Sequence, residues 1–165
     1  MKKQVLGALA FCLLIGAAGA SAQVWTAVGS SGAIRDTSIG VYATVDGGLF
    51  FRGGAVGNIW ATYNVTNPRD TSSSPSWTTL EFTARNPGGG LGVYATATLY
   101  RQPRFSGTAI AVCTAIAPAT GALSTSTCTF SSSTFDFTNN YYFVVASLGR
   151  ETTAQSVTAW GLRVF

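Results

Sequence analysis

Apolar and polar residues alternate with a period of two along most of the chain after residue 22, and helical periodicity is nearly absent. The clearest alternation runs from residue 58 to residue 66, where Ile59, Ala61, Tyr63 and Val65 fall on one side. Polar residues and Trp60 fall on the other side. This pattern is typical of a β-strand with one buried face. We therefore predict a strand here, with its aliphatic side turned toward the core.

About ten short segments follow the same pattern, with turn signals about eight to twelve residues apart. One signal is Asp46-Gly47, which predicts a tight hairpin. Residues 140–150 are apolar on both faces, as expected of a strand in the middle of a sheet. The predicted strands cover residues 23–28, 39–45, 49–52, 58–66, 77–85, 91–101, 108–116, 126–130, 140–150 and 156–165. We interpret the chain as all-β, an antiparallel two-sheet β-sandwich of the jelly-roll or immunoglobulin-like kind.

The first 22 residues have the pattern of a secretory signal peptide. Lys2 and Lys3 precede an apolar run, and residues 20–22, Ala-Ser-Ala, supply the small residues of a cleavage site. We expect one β-sandwich domain over residues 23–165, with no transmembrane anchor after cleavage. The expected location is the periplasm, the cell surface or the extracellular space.

Charged residues make up only 10% of the sequence, and both lysines lie in the predicted signal peptide. The remaining eight arginines and six acidic residues give the mature chain a net charge of 8 − 6 = +2. The arginines are spread along the chain, which indicates solvated surface charge and not a nucleic-acid interface. Low charge also leaves little electrostatic protection against self-association.

Two cysteines, Cys113 and Cys128, remain after cleavage. An even number of cysteines in an oxidising compartment predicts a disulfide. Closing this loop would stabilise the fold by about 3 kcal/mol, because it restricts the unfolded chain. No histidine is present, and a redox pair is usually more closely spaced, so we expect neither a metal site nor a redox role.

The residues give little support for catalysis. Without histidine, the usual Ser-His and Cys-His nucleophile pairs cannot form. Glu81 is the only acidic residue in the middle of a predicted strand, where we expect it to pair with Arg85 or Arg101. Asp136 and its asparagine neighbours could offer oxygens to Ca²⁺, but side-chain-capped turns are the favoured interpretation. We therefore predict a protein that is not an enzyme and needs no cofactor.

Aromatic residues on the polar side of the strands form a sharper pattern. Alternation places Trp60, Trp77, Tyr94 and Tyr100 among threonine and asparagine residues that face away from the core. Flat rings beside hydroxyls and amides suit stacking on sugar rings or burial against a second copy of the chain. Cover by loops of the same chain is the third alternative.

The end of the chain bears on a rival architecture, a small outer-membrane β-barrel. Every second residue before Phe165 would face lipid in such a barrel, but this row contains Arg163, Gly161 and Ala159. The apolar row, Trp160, Leu162 and Val164, has the opposite parity and is predicted to face a core. The sandwich is therefore favoured.

Three segments, ATYNVTN (61–67), ATLYR (97–101) and STFDFTNNYYFVVASLGR (133–150), resemble a group of uncharacterised small exported bacterial proteins. The resemblance extends over most of the mature chain. It implies a β-sandwich preceded by a signal peptide, and it supplies no catalytic residues and no function.

The favoured functional interpretation is a secreted, non-catalytic structural or binding protein that associates with itself at the cell surface. The first alternative is a carbohydrate-binding module that uses the aromatic residues above. The second is the outer-membrane barrel. The expected partners are accordingly the protein itself or a polysaccharide.

Overall fold

A computed structural model describes residues 24–67 and 74–165 of the chain. Single 3-10 turns at Gly29–Ser31 and Asp36–Ser38 are the only helical elements of these two ranges. The strands are β1 (Trp25–Val28), β2 (Ala33–Ile34), β3 (Tyr42–Val45), β4 (Gly48–Phe51), β5 (Gly57–Val65), β6 (Thr79–Arg85), β7 (Tyr94–Pro103), β8 (Ile110–Ile116), β9 (Leu123–Thr129), β10 (Asn140–Arg150) and β11 (Thr158–Val164).

The strands form two antiparallel sheets. The six-stranded sheet has the order β3-β4-β11-β6-β9, and β1 also pairs with β11. The five-stranded sheet has the order β2-β5-β10-β7-β8. Both sheets end in edge strands and pack face to face, so the predicted two-sheet sandwich is confirmed and the closed barrel is not the architecture of these strands.

The core lies between the sheets and is made by the alternation that the sequence shows. On β5, Ile59 and Ala61 are fully buried, and on β6, Leu80 and Phe82 are too. Apolar burial of this kind is the main favourable contribution to folding. The side chains between these core positions necessarily point to the outer surfaces of the sheets.

The predicted hairpin at Asp46-Gly47 is present. Val45 pairs with Gly48, which leaves a two-residue loop between β3 and β4. Both loop residues have positive φ, 48° at Asp46 and 85° at Gly47. A two-residue turn of this type needs that conformation, and Asp-Gly is among the pairs that adopt it most readily.

The Cys113–Cys128 disulfide joins the two sheets along one side of the sandwich. Cys113 lies on β8, the edge of the five-stranded sheet, and Cys128 lies on β9, the edge of the six-stranded sheet. Their Cα atoms are 5.9 Å apart. The predicted bridge is confirmed, and it connects two strands that share no backbone ladder.

One arginine departs from the prediction of solvated surface charge. Arg150 is only 7% exposed. Its Nε donates to the carbonyl of Ala55 at 2.6 Å and its Nη2 to that of Gly53 at 2.5 Å, while the guanidinium lies 4.7 Å from the ring centre of Phe51. These contacts hold the β4–β5 connection against the end of β10. Burial lowers the pKa of Arg150 below its usual value.

The predicted signal peptide, residues 1–22, lies outside the described residues, as do residues 68–73 in the predicted loop between β5 and β6. In the described ranges, no helix has the length and apolar character required to cross a bilayer.

Candidate functional site

The outer surface of the five-stranded sheet collects most of the predicted aromatic residues. We call this surface the aromatic face. The strand register places Trp60 beside Ser147, and Ser147 beside Thr96. Tyr94 and Tyr100 lie on the same side of β7, because the residues that alternate with them are buried. Three of the four predicted binding residues therefore share one surface.

Tyr94 lies across the neighbouring strand at a glycine. A Cβ atom at Gly149 would sit 2.5 Å from Cε1 of Tyr94, so the absence of a side chain there lets the ring cover β10. The Tyr94 hydroxyl then donates to Oδ1 of Asn58, on the far side of β10, at 2.9 Å. Partial burial raises the pKa of Tyr94 above its ordinary value. The ring is thus held flat on the sheet with its outer side toward solvent.

Trp60 is fixed by the chain that covers the edge of β5. Its amide donates to Oγ of Ser38 at 3.1 Å, and its carbonyl accepts from the amide of Arg35 at 3.0 Å. The Arg35 guanidinium carbon lies 6.0 Å from the centre of the indole ring. Trp60 is partly exposed at the outer surface of the sheet.

A second pair of aromatic residues lies toward the other end of the sheet. Tyr100 and Phe143 are cross-strand partners, and their rings stack with centroids 5.3 Å apart and an interplanar angle of 14°. Asn64 flanks Phe143 on β5. This site therefore combines two parallel rings with an exposed amide.

Hydroxyl groups surround Val145 in the space between the two aromatic ends. Thr62, Thr96 and Ser147 occupy outward positions there, and Thr98 is hydrogen bonded to Thr114 at 2.9 Å. The ends are six residues apart on β10, which corresponds to about 20 Å along a strand. Within the described residues, the outward positions of the five strands of this sheet carry no carboxylate. The face is therefore a long, nearly neutral surface of rings and hydroxyls.

Trp77 does not belong to this face, and its predicted outward orientation is wrong. It is 1% exposed and packs edge-to-face on Phe135 at 5.1 Å, inside the core. The amides of Thr78 and Thr79 both donate to the carbonyl of Phe165, so the regular ladder breaks immediately after Trp77. Strand β6 begins only at Thr79. A break of one residue reverses the side to which a side chain points.

Trp160 shows the opposite error. It was predicted to share a face with Leu162 and Val164, which are buried, yet it is partly exposed on the outer surface of the six-stranded sheet. The pairing of β11 with β6 skips Trp160, because Ala159 and Gly161 pair with consecutive residues. A β-bulge of this kind redirects the residue that it contains.

Phe143 was not among the predicted binding residues. Strand β10 is apolar on both faces, so its sequence does not distinguish inward from outward positions. The register with β7 makes the distinction, because it pairs Phe143 with outward-facing Tyr100. The sequence shows Phe143 only as one residue of an unbroken apolar run, which does not indicate the face on which it lies.

Asp136 and Glu81 serve local structure. Asp136 accepts hydrogen bonds from the amides of Thr138 and Asn139, and the side-chain bond from Asn139 lowers the pKa of Asp136. This is the capped turn that was favoured over a Ca²⁺ site. Glu81 pairs with Arg163 at 3.2 Å, and not with Arg85 or Arg101. The described ranges contain no cluster of three or more Asp, Glu, Cys or His residues suited to a metal ion.

The sequence matches no protein-family profile and shows no significant similarity to a curated protein. Its fold is similar to that of a solved structure described as "xylan-binding module CBM15", with a TM-score of 0.50 and 15% identity over 87% of this chain and 96% of that one. At this identity the likeness shows the shared β-sandwich and nothing further.

Two larger chains contain a weaker likeness. A family two carbohydrate esterase from Cellvibrio japonicus gives a TM-score of 0.39 at 15% identity, over 86% of this chain and 33% of that one. The structure of infectious bursal disease virus Gt strain gives 0.32 at 15% identity, over 86% and 31%.

Proposed function

We propose that this protein binds a polysaccharide along the aromatic face and does not cleave it. The observation that carries the proposal is the arrangement of Trp60, Tyr94, Tyr100 and Phe143 on one outer sheet surface, with hydroxyl groups between the two ends. Sugar rings have apolar C–H faces that stack on aromatic rings, while their hydroxyl groups need hydrogen-bond partners at the edge. The aromatic face offers both.

The fixed positions of the rings support the same proposal. Tyr94 is held down over Gly149 by its bond to Asn58, and Tyr100 stacks on Phe143. Rings that are fixed before binding lose little conformational freedom when a ligand stacks on them. The similarity in fold to a protein described as a xylan-binding module is compatible with this use of the sandwich.

Binding to a panel of soluble and insoluble polysaccharides tests the proposal. We expect Trp60→Ala to weaken binding at least about tenfold, the loss typical of a central aromatic anchor. Trp160→Ala is the matched control, since it removes a partly exposed tryptophan from the other sheet and should leave affinity unchanged. Absence of binding to every polysaccharide, or equal losses in the two variants, would contradict the proposal.

The proposal that the protein is non-catalytic has its own test. Prolonged incubation with each bound polysaccharide should release neither reducing sugars nor acyl groups. Release that scales with protein concentration, and that persists after repurification, would identify an enzyme instead.

We also propose that the protein acts outside the cytoplasm. The disulfide between Cys113 and Cys128 supports this location, because such bonds persist in oxidising compartments. Cell fractionation with mass spectrometry should find the chain outside the cytoplasm with Gln23 at its N-terminus. A cytoplasmic chain that retains residues 1–22 would be the contrary result.

Self-association is a second candidate function, and strand β8 favours it. This edge strand has seven residues without charge or proline, and Ile110 and Ile116 are 46% and 64% exposed. Uncharged edge strands can pair with the same strand of a second copy. Sedimentation velocity should show a concentration-dependent dimer that Ala111→Lys disrupts. A monomer at all concentrations would exclude this candidate.

A further inference from the structure

A cleft of about 480 Å³ opens at one end of the aromatic face, where β5 and β7 end and β10 begins. Asn64 and Phe143 line it and also belong to the aromatic face, so the two surfaces are continuous. Gln102, Arg104 and Tyr141 are among the other residues that line it. A polysaccharide on the aromatic face would therefore extend into this cleft.

Arg104 is the one charged residue among the described residues that line the cleft. Its guanidinium carbon lies 5.4 Å from the ring centre of Tyr141. Its backbone amide donates to the carbonyl of Asn139 at 2.9 Å, which anchors the chain that carries it. In the described part of the chain, the single ion pair is the one between Arg163 and Glu81, so Arg104 makes none there.

The carboxylate of the adjoining turn is already engaged. Both oxygens of Asp136 accept hydrogen bonds from Thr138 or Asn139 within the turn. Among the described residues, no carboxylate lines the cleft, while Asn64, Gln102 and Asn140 provide side-chain amides. The described lining of the cleft thus combines one positive charge with neutral hydrogen-bonding groups and four aromatic residues, Phe137, Tyr141, Tyr142 and Phe143.

A guanidinium that stacks on a ring keeps its N–H edge available. It is planar and weakly hydrated, and it matches a carboxylate with two parallel hydrogen bonds. Stacking on Tyr141 limits the orientations that Arg104 can adopt, which reduces the entropy lost when a carboxylate binds. Amide side chains suit the hydroxyl groups of the same sugar.

We propose that this cleft binds a uronic acid residue, so that the preferred ligand of the aromatic face is an acidic polysaccharide. The carboxylate of the sugar pairs with Arg104, and its ring lies against Tyr141 or Phe143. This inference rests on the proposed polysaccharide binding and adds the class of sugar to it. Arg104 is then a specificity-determining residue, and Trp60 supplies affinity that does not depend on charge.

Matched ligands test the inference with the mature chain. Glucuronoxylan, polygalacturonate and alginate are each compared with their carboxyl-reduced forms, in which every carboxylate has become a primary alcohol. We expect at least one acidic form to bind about three- to tenfold tighter than its reduced form, as for a partly exposed arginine–carboxylate pair. Higher salt should reduce the preference.

Arg104→Gln should abolish the preference and leave affinity for the reduced polymer within about twofold. Arg104→Lys should keep part of it, because the charge remains without the planar fork. Arg52→Gln, at an exposed arginine outside the cleft, is the control and should keep the whole preference. Thermal unfolding of each variant confirms that the fold is intact.

The outcomes separate this inference from the proposed function. Equal binding of acidic and reduced polymers overturns the inference but leaves polysaccharide binding in place. A preference that survives Arg104→Gln overturns it as well, since another group then recognises the carboxylate. If no polymer of either form binds, the proposed function fails, and this inference fails with it.

Discussion

The two outer surfaces of the sandwich come from the same kind of sequence but differ in their chemistry. The six-stranded sheet carries threonine side chains that partly satisfy one another, as in the 3.2 Å contact between the hydroxyls of Thr83 and Thr125. It also carries the Glu81–Arg163 ion pair. The aromatic face has a similar threonine pair, Thr98 and Thr114, but it also carries several aromatic rings, and its outward strand positions hold no acid.

The rings on the two surfaces also lie differently. On the six-stranded sheet, Phe50 and Trp160 pack edge-to-face at an interplanar angle of 84°, so the edge of one ring covers part of the face of the other. On the aromatic face, Tyr100 and Phe143 are within 14° of parallel, and Tyr94 lies over Gly149. The Tyr94 ring therefore lies along the sheet, while Tyr100 and Phe143 cover part of each other's faces. The two surfaces differ in how their rings are oriented.

The largest expected effect comes from the core beneath both surfaces. Trp77→Ala should lower the free energy of unfolding by about 3–5 kcal/mol, as usual for removing a buried large aromatic side chain. Trp60→Ala should lower it far less, because its ring is partly exposed. Guanidinium chloride unfolding measures both. Similar losses of unfolding free energy in the two variants would contradict the assignment of Trp77 to the core and Trp60 to the aromatic face.

The disulfide gives the next largest effect, because it joins the edges of the two sheets. Replacing both Cys113 and Cys128 with serine should cost about 2–4 kcal/mol of stability. Affinity for polysaccharide at 25 °C should change little, since the bridge lies at the sandwich edge and contributes no side chain to the aromatic face. Denaturant unfolding and a binding isotherm on the same sample provide the measurement. A large loss of affinity in a folded variant would show that the bridge also shapes the face.

These contrasts show which features the sequence could predict. Strand β5 is regular, so alternation alone places Trp60 outward and Ile59 inward. The Asp46-Gly47 turn and the disulfide also follow from local chemistry. Trp77 and Trp160 were assigned to the wrong sides, because a ladder break and a β-bulge change parity and neither has a clear signal in the residues themselves.

Other features depend on pairing between distant parts of the chain. Strand β11, near the end of the chain, pairs with β1, β4 and β6 in the six-stranded sheet. The stacking of Tyr100 on Phe143 and the cleft around Arg104 depend on the register of β10 with its neighbours. No local sequence pattern determines that register. The sequence could therefore indicate which aromatic residues face outward on regular strands, but not how their rings are arranged relative to one another.

Two strand glycines sharpen the comparison with a smaller effect. A Cβ atom at Gly149 would meet the carbonyl oxygen of Gly92 and Cε1 of Tyr94, each at 2.5 Å. Gly149→Ala should therefore destabilise the fold by about 1–3 kcal/mol and displace Tyr94. Affinity for polysaccharide should fall as well.

Gly161 on the six-stranded sheet is the matched control. The nearest atom to a Cβ there is the carbonyl oxygen of Ala27 at 3.8 Å, an ordinary contact. Gly161→Ala should be neutral or stabilise the fold by up to about 1 kcal/mol, because alanine restricts the unfolded chain. Unfolding curves and binding isotherms of both variants provide the test. If Gly149→Ala left the affinity for polysaccharide unchanged, Tyr94 would not be part of the binding site.

The smallest effect concerns the ion pair of the six-stranded sheet. Side chains of Arg163 and Glu81 are 48% and 21% exposed, and such pairs contribute about 0.2–1 kcal/mol. Glu81→Gln should therefore lower stability by less than about 1 kcal/mol, and high salt should remove most of the difference. Arg163→Gln should cost more, because the guanidinium also lies 5.0 Å from the ring centre of Phe165. Neither variant should change affinity for any polysaccharide, acidic or reduced. If Arg163→Gln removed the preference for acidic polymers, recognition of the carboxylate would lie on the six-stranded sheet, and the assignment of separate roles to the two surfaces would be wrong.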